Sequence, residues 1–315
     1  MNKTVPDSPH SRQKVEQAMR FIGLELEPEP AFKGAVITES VAQGDARASS
    51  DIDMIVLFEP LRLDVIPGDF LWSPGDSGIR TRHEKDHPDT GDMIHFDTNR
   101  VDLAEFRKGN CPEFWQYLLS IGVLVFDRDG EVEPVLDQLA KFSDERRQDR
   151  VARNVYNVDY HLNETKAVSW LERSGAVAAH AHVNAGINYL VELLYAYHRS
   201  WLTWPNKRVA LLLRYPDPVG NLEATLEEGM AVRSNTAGDI VRRVRILRGY
   251  FDRLIELLQG EGLLPGKAPF DFAFGYEWPQ IGMRHSMTEW REANARYRAS
   301  RENSGTMRSK DIGLS

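Results

Sequence analysis

The hydrophobic period changes once along this chain, and that change limits the fold more than any other feature. Up to about residue 130 the apolar residues come in short β-prone runs, such as Ala35-Val36-Ile37-Thr38, Ile52 to Phe58 and Val123 to Phe126. From Glu131 onward the spacing lengthens from two toward 3.6, with Val151, Val155, Val158 and Leu162 one to two turns apart. The chain has 315 residues, enough for about two domains at roughly 150 residues each. The pattern predicts an α+β fold: a small mixed β-sheet domain with flanking helices over 1–140, an α-helical bundle domain over 141–297, and a polar flexible tail over 298–315.

Within the first part, Val15, Met19, Phe21 and Ile22 give a short one-sided helix that Pro28 and Pro30 end. The stretch from Asp64 to Asp92 is rich in Gly, Pro, Asp and His, and most of it reads as irregular loop, with room for a helical turn. Met93 to Phe96 and Arg100 to Phe106 read as two strands joined by a turn at Asp97-Thr98-Asn99. In the second part, Ile187, Leu190, Leu194, Tyr197 and Trp201 form one apolar stripe. Ile240, Val244, Leu247, Phe251, Leu254 and Leu258 form another. Arg242, Arg243, Arg245 and Arg248 fall opposite that second stripe and read as a solvated face.

The formal charge is −8, from 39 basic and 47 acidic residues, which disfavours a chain built mainly to neutralise nucleic-acid phosphates. Cys111 is the only cysteine, so an internal disulfide and a thiolate metal cluster are both excluded. The N-terminus lacks the apolar core of a signal peptide, and no run approaches the ~18 apolar residues of a membrane span. The expectation is a soluble cytoplasmic protein without a membrane partner.

Chemistry concentrates in Ser40-Val41-Ala42-Gln43-Gly44, followed by Ser50-Asp51-Ile52-Asp53 and the apolar run Met54 to Phe58. Asp51 and Asp53 are two apart on a predicted strand, so both carboxylates point to one face, roughly 7 Å apart along the backbone. Like charges there repel unless cations lie between them, as in a two-metal site for phosphoryl transfer. Oxygen ligands suit Mg²⁺ or Mn²⁺. Two acids at a strand start are also commonly a solvated turn, and the pair alone does not choose.

The order of strand, small-residue loop and Ser-Asp-h-Asp (h apolar) resembles the DNA polymerase β-like nucleotidyltransferase superfamily, nearest its minimal and antibiotic-modifying branches. Ser40 matches the motif serine, Ala42-Gln43-Gly44 matches Ala-Arg-Gly with Gln for Arg, and Ser50-Asp51-Ile52-Asp53 matches fully. Glu39 departs from the pattern, standing where the family has Gly. Glu39 then either points away, serves as an extra metal ligand, or reduces activity. The resemblance covers Ala35 to Gly130 and implies a third carboxylate from a neighbouring strand. Asp102, in Arg100-Val101-Asp102-Leu103, is the match preferred; Asp97 is its competitor and reads as a turn residue.

What the resemblance implies is transfer of a nucleoside monophosphate, most simply AMP from Mg-ATP, to an acceptor hydroxyl with release of pyrophosphate. Asp51, Asp53 and Asp102 would hold the metal, with Asp102 as base. Ser40, Gly44 and Ser50 would line the nucleotide, and Lys207, after the aromatic segment Tyr195 to Trp204, would reach its phosphates across the cleft. A basic helix end complementing the macrodipole is the alternative for Lys207. A cationic aminoglycoside-like small molecule suits the acidic chain as acceptor. A protein or tRNA acceptor, and a degenerate nucleotide- or partner-binding domain without turnover, are the alternatives. His180 and His182 either line a helical pocket or are structural, and His83 and His87 sit in the long loop where an acceptor could be recognised.

Overall fold

The computed structural model describes residues 7–80, 93–265, 269–277 and 290–300. The chain divides into two compact units, one of residues 1–142 with 201–204, the other of residues 143–200 with 205–315.

In the first unit, α1 (Pro9–Phe21) starts on a proline, which has no amide hydrogen to leave unpaired at a helix start. It buries Val15, Ala18 and Phe21, and a single π-helical stretch, Ile22–Leu26, continues it. Strand β1 (Phe32–Ile37) leads into the five-residue helix α2 (Glu39–Gln43), then β2 (Ile52–Phe58). β3 (Asp69–Ser73) and β4 (Asp76–Arg80) form a hairpin, and β5 spans Ile94–Asp102. Helices α3 (Leu103–Arg107) and α4 (Glu113–Ile121), strand β6 (Val123–Asp127) and α5 (Val132–Ala140) complete it. Among the described residues the strands make one six-stranded sheet in the order β4-β3-β5-β2-β1-β6. Among the described strands only β2 and β5 pair in parallel.

Two expectations are corrected here. The stretch after Asp64 is not all loop, because Phe70 and Trp72 alternate with Asp69 and Leu71 and pair onto β5. Residues 97–99 are not a hairpin turn, because β5 runs straight through them. Ile94, Phe96 and Thr98 are buried in alternation, and Thr98 satisfies its hydroxyl by donating to the Pro67 carbonyl at 2.7 Å.

One sheet face is fixed by aromatic packing. The Phe21 ring lies 4.6 Å from Phe96 and 5.3 Å from both Phe70 and Trp72. Trp72 donates its indole N–H to Glu25 at 3.0 Å. Such rings prefer offset or edge contact, and their burial dominates a core of this size. Ile52, Met54, Val56 and Phe58 join the same core. Strand alternation therefore sends residues 51, 53, 69, 95 and 97 to the opposite face.

The second unit is helical: α6 (Asp144–His161), α7 (Glu164–Tyr197), α8 (Arg208–Leu212), α9 (Leu222–Met230), α10 (Ala237–Gly260) and α11 (Pro269–Glu277). Ser143, Asn163 and Thr236 cap α6, α7 and α10 through their side-chain oxygens. Gly175, at φ 82° and ψ 176°, interrupts α7. The α10 stripe is buried as its period requires. The other stripe ends early, since α7 stops at Tyr197 and Trp201 belongs to the first unit, where its indole N–H donates to the Ala140 carbonyl at 2.8 Å.

The arginine face of α10 needs correction: only Arg245 is exposed, Arg242 and Arg248 are half-buried in bonds to the Ala231 carbonyl and to Asp159, and Arg243 departs furthest. Arg243 is fully buried and donates to the Gly229 carbonyl at 2.7 Å and to Asn184 Oδ1 at 2.6 Å, with His180 Nδ1 at 2.8 Å. It ties α10 to α9 and α7. Among the described residues no helix is long and apolar enough to cross a membrane.

Candidate active site

The sheet register gathers acids at one place. Asp53 on β2 pairs with Asp97 on β5, and Asp97 pairs on its other side with Asp69 on β3. Neighbouring strands lie roughly 5 Å apart, so the three carboxylates form a row across the sheet. Asp51 precedes Asp53 by one strand repeat on the same face. His95 sits between rows, with Nε2 2.6 Å from Asp69 Oδ1 and Nδ1 3.7 Å from Asp51 Oδ2.

Like charges in direct cross-strand register are unfavourable. Asp97 reaches solvent at its outer edge, yet surrounding protein removes enough water to raise its carboxyl above the usual range. The charges of Asp69 and Asp51 add to the rise and His95 opposes it. Lys14 on α1 is the cation coupled to this cluster: burial lowers its ammonium and Asp51 holds it up.

Asp102 lies elsewhere. It pairs with Phe58, five residues up the strand from the Asp53–Asp97 pair, about 16 Å at 3.3 Å per residue. Its carboxylate caps α3 by accepting the Ala104 amide at 2.9 Å. The structure brings Asp97 to Asp51 and Asp53, and gives Asp102 a local capping role.

Glu39 is the first residue of α2, directly after the turn from β1, at φ 51°. That left-handed conformation is cheap for glycine and costs other residues about 1 kcal/mol or more. The turn is held to the site strand, since the Thr38 amide donates to the Asp53 carbonyl at 2.9 Å. The Glu39 carboxylate accepts the indole N–H of Trp204 at 3.0 Å, and the Trp204 ring lies 3.9 Å from that of Phe114. Of the three readings for Glu39, the structure supplies a definite partner for its side chain, Trp204.

The remaining candidates have local roles on view. Ser40 is half-buried in α2. Gly44, at φ 81°, closes that helix with its amide to the Ser40 and Val41 carbonyls. Ser50 accepts the Arg47 amide at 2.9 Å and shapes the loop before Asp51. Lys207 is the N-cap residue of α8 in the second unit, and Arg208 beside it pairs with Glu192 at 3.1 Å. His83 and His87 lie outside the described residues.

Oxygen-only donors of the kind gathered here fit a hard divalent cation such as Mg²⁺ or Mn²⁺. The side chains themselves are spread: among the described residues no three His, Cys, Asp or Glu converge as a ready metal site.

Sequence reading named Asp97 only as the competitor of Asp102, and did not single out Asp69, His95 or Lys14. The signal for Asp97 was present in the apolar alternation of residues 94 to 98, and its turn-like neighbours Thr98 and Asn99 hid it.

No family model matches the chain, and no curated protein matches it. Among solved structures it is similar to a nucleotidyltransferase-like protein from Exiguobacterium sibiricum 255-15, at 16% identity and a TM-score of 0.42, over 79% of this chain and 78% of that one.

Proposed function

We propose that the chain is a metal-dependent nucleotidyltransferase that moves a nucleoside monophosphate, in the simplest case AMP from ATP, onto a hydroxyl of a small cationic acceptor. The observation that supports this most directly is the register pair Asp53–Asp97 beside Asp51, three carboxylates from two parallel strands on one exposed face. Asp51, Asp53 and Asp97 would hold the divalent cation, which when bound neutralises triphosphate charge and orients it. Asp97, in register with Asp53 and on the same face, is placed to accept the proton of the attacking hydroxyl. Lys14 adds a cation beside the cluster, suited to a phosphate oxygen. Asp69 is a carboxylate beyond the three that hold metal, and with the acidic face it favours an amine-bearing acceptor.

One observation favours a second reading, a nucleotide-binding domain without turnover. Glu39 adds a carboxylate and a bulky side chain to a glycine-type turn, and Trp204 anchors it there. Acceptor-dependent pyrophosphate release separates the two readings. The protein is incubated with Mg²⁺, each of the four ribonucleoside triphosphates and an aminoglycoside panel, with a tRNA and a protein arm. Release that disappears in Asp53→Ala supports the enzyme. Nucleotide binding without release for any acceptor supports the second reading, and absence of both metal and nucleotide binding defeats the two together.

A further inference from the structure

The second unit carries a cavity of about 350 Å³ lined by Tyr160, Thr165, Lys166, Ser169, Trp170 and Arg173. Five of these lie on the first stretch of α7, between the Asn163 cap and the break at Gly175. Thr165, Ser169 and Arg173 follow i, i+4, i+8 in one row. Lys166 and Trp170 follow i, i+4 in the next, so both rows face the same side. Among the described residues no carboxylate lines the cavity. Its polar groups are two cations and the hydroxyls of Thr165, Ser169 and Tyr160, and the rings of Tyr160 and Trp170 give it an aromatic wall.

The floor is held from beneath by a ring cluster. After the break, α7 places His182 with its ring 5.9 Å from Trp170 and 5.8 Å from Tyr160. His161 and His182 approach through their Nδ1 atoms at 3.1 Å, and the Lys166 ammonium sits 3.5 Å above the centre of the Tyr160 ring. His182 is only 6% exposed, and its Nε2 has no hydrogen-bond partner. Trp170 is 41% exposed over this packed layer. The indole thus stands open beside two cations and offers a face on which a planar ring can stack.

We propose that this cavity binds a nucleoside monophosphate or a small molecule of the same chemistry, a planar ring carrying one phosphate. The ring stacks on Trp170, and the phosphate takes Lys166, Arg173 and the hydroxyls of Thr165 and Ser169. Tetrahedral phosphate matches this mixed set of charged and neutral donors. The volume lies at the small end of ligand pockets, about 300–1,000 Å³, which suits one ring system with one phosphate and excludes a polymer lying across it. The site is carried wholly by the second unit and does not rest on the reading of the carboxylate face.

The test is calorimetric titration of the full chain with AMP in EDTA, which removes any nucleotide held through a divalent cation elsewhere. Adenosine, inorganic phosphate and a single-stranded oligonucleotide form the other arms. AMP is expected to bind at one site, with adenosine and phosphate each weaker by about tenfold or more. Lys166→Gln with Arg173→Gln should weaken AMP by about tenfold or more. Trp170→Leu should weaken it too, and Asp53→Asn should leave it unchanged. Arg173 is exposed, so Arg173→Gln alone keeps the test valid should another variant fail to fold. No AMP binding at millimolar concentration, wild-type affinity in Arg173→Gln and the double variant, loss of binding in Asp53→Asn, or binding of the oligonucleotide alone would overturn the proposal.

Discussion

Two aspartates on β5, five residues apart, carry opposite expectations. Asp97→Asn should abolish transfer, because it removes a carboxylate in register with Asp53. It should also raise the thermal midpoint of the metal-free protein, since one of the mutually repelling charges is gone. Asp102→Asn should leave turnover within about twofold, because asparagine caps a helix as well as aspartate does. Transfer lost in Asp102→Asn and kept in Asp97→Asn would reverse the assignment. At Glu39, glycine should relieve the left-handed backbone and clear a carboxylate from the turn. Glu39→Gly is therefore expected to lower the KM for nucleotide, measured by steady-state pyrophosphate release. That Asp51 and Asp53 share one face was legible from their spacing. Asp97 was not, because Asp-Thr-Asn has the composition of a turn, and only the buried Thr98 bonding to Pro67 shows why a polar residue sits inside this strand.

Histidine 182 permits a pH prediction at the same scale. Burial and the neighbouring charges of His161 and Lys166 push its imidazole down to about 4, against about 6.5 in an unfolded chain. The unfolded state therefore binds the extra proton between those values. The stability this group contributes is present above pH 6.5 and is lost as pH falls toward 4. Burial lowers His161 and His198 as well, and they act in the same direction. Urea midpoints measured from pH 7 to pH 4 should decline through that window. An NMR titration of His182 with a midpoint near 6.5 would contradict the account.

At the scale of elements, the carboxylate face depends on a core it does not touch. Phe96 lies between His95 and Asp97 and is fully buried against Phe21, Phe70 and Trp72. Phe96→Ala should cost about 3–5 kcal/mol in denaturant unfolding, the range for a large aromatic removed from a packed core. Gly122, between α4 and β6, permits a similar test, since an added Cβ would lie 2.5 Å from Val36 Cγ1. Gly122→Ala should lower the thermal midpoint without touching the site. Strands β1, β2 and β6 were readable because their apolar runs are continuous or nearly so. β3 was not, since its Phe70-Leu71-Trp72 run is short and framed by Pro67, Gly68, Pro74 and Gly75, residues that normally announce a loop. Arg243 escaped for another reason: helical period assigns a face, but only the backbone carbonyl and amide supplied by α9 and α7 reveal that a guanidinium is welcome inside.

At the scale of the molecule, the order of strands followed by helices was evident in the change of period. What the period could not show is that four residues far along the chain, Trp201 to Trp204, belong to the first unit. Trp201 is 2% exposed, with its ring 4.9 Å from Phe142 and its N–H on Ala140. A fragment ending at residue 142 therefore lacks part of its own unit. Such a fragment should melt below the corresponding transition of the full chain, followed by circular dichroism. Its Phe142 and Phe114 should then be more open to solvent.

The parallel pairing of β2 with β5 has a kinetic consequence. Asp53 and Asp97, 44 residues apart in sequence, meet only after the chain between them has been closed into a crossover, and loop entropy must be met before any contact is made. The repulsion among Asp51, Asp53, Asp69 and Asp97 is felt at that same docking step, so the residues that define the face also oppose its assembly. Refolding should accordingly quicken as ionic strength rises, while the unfolding rate changes less.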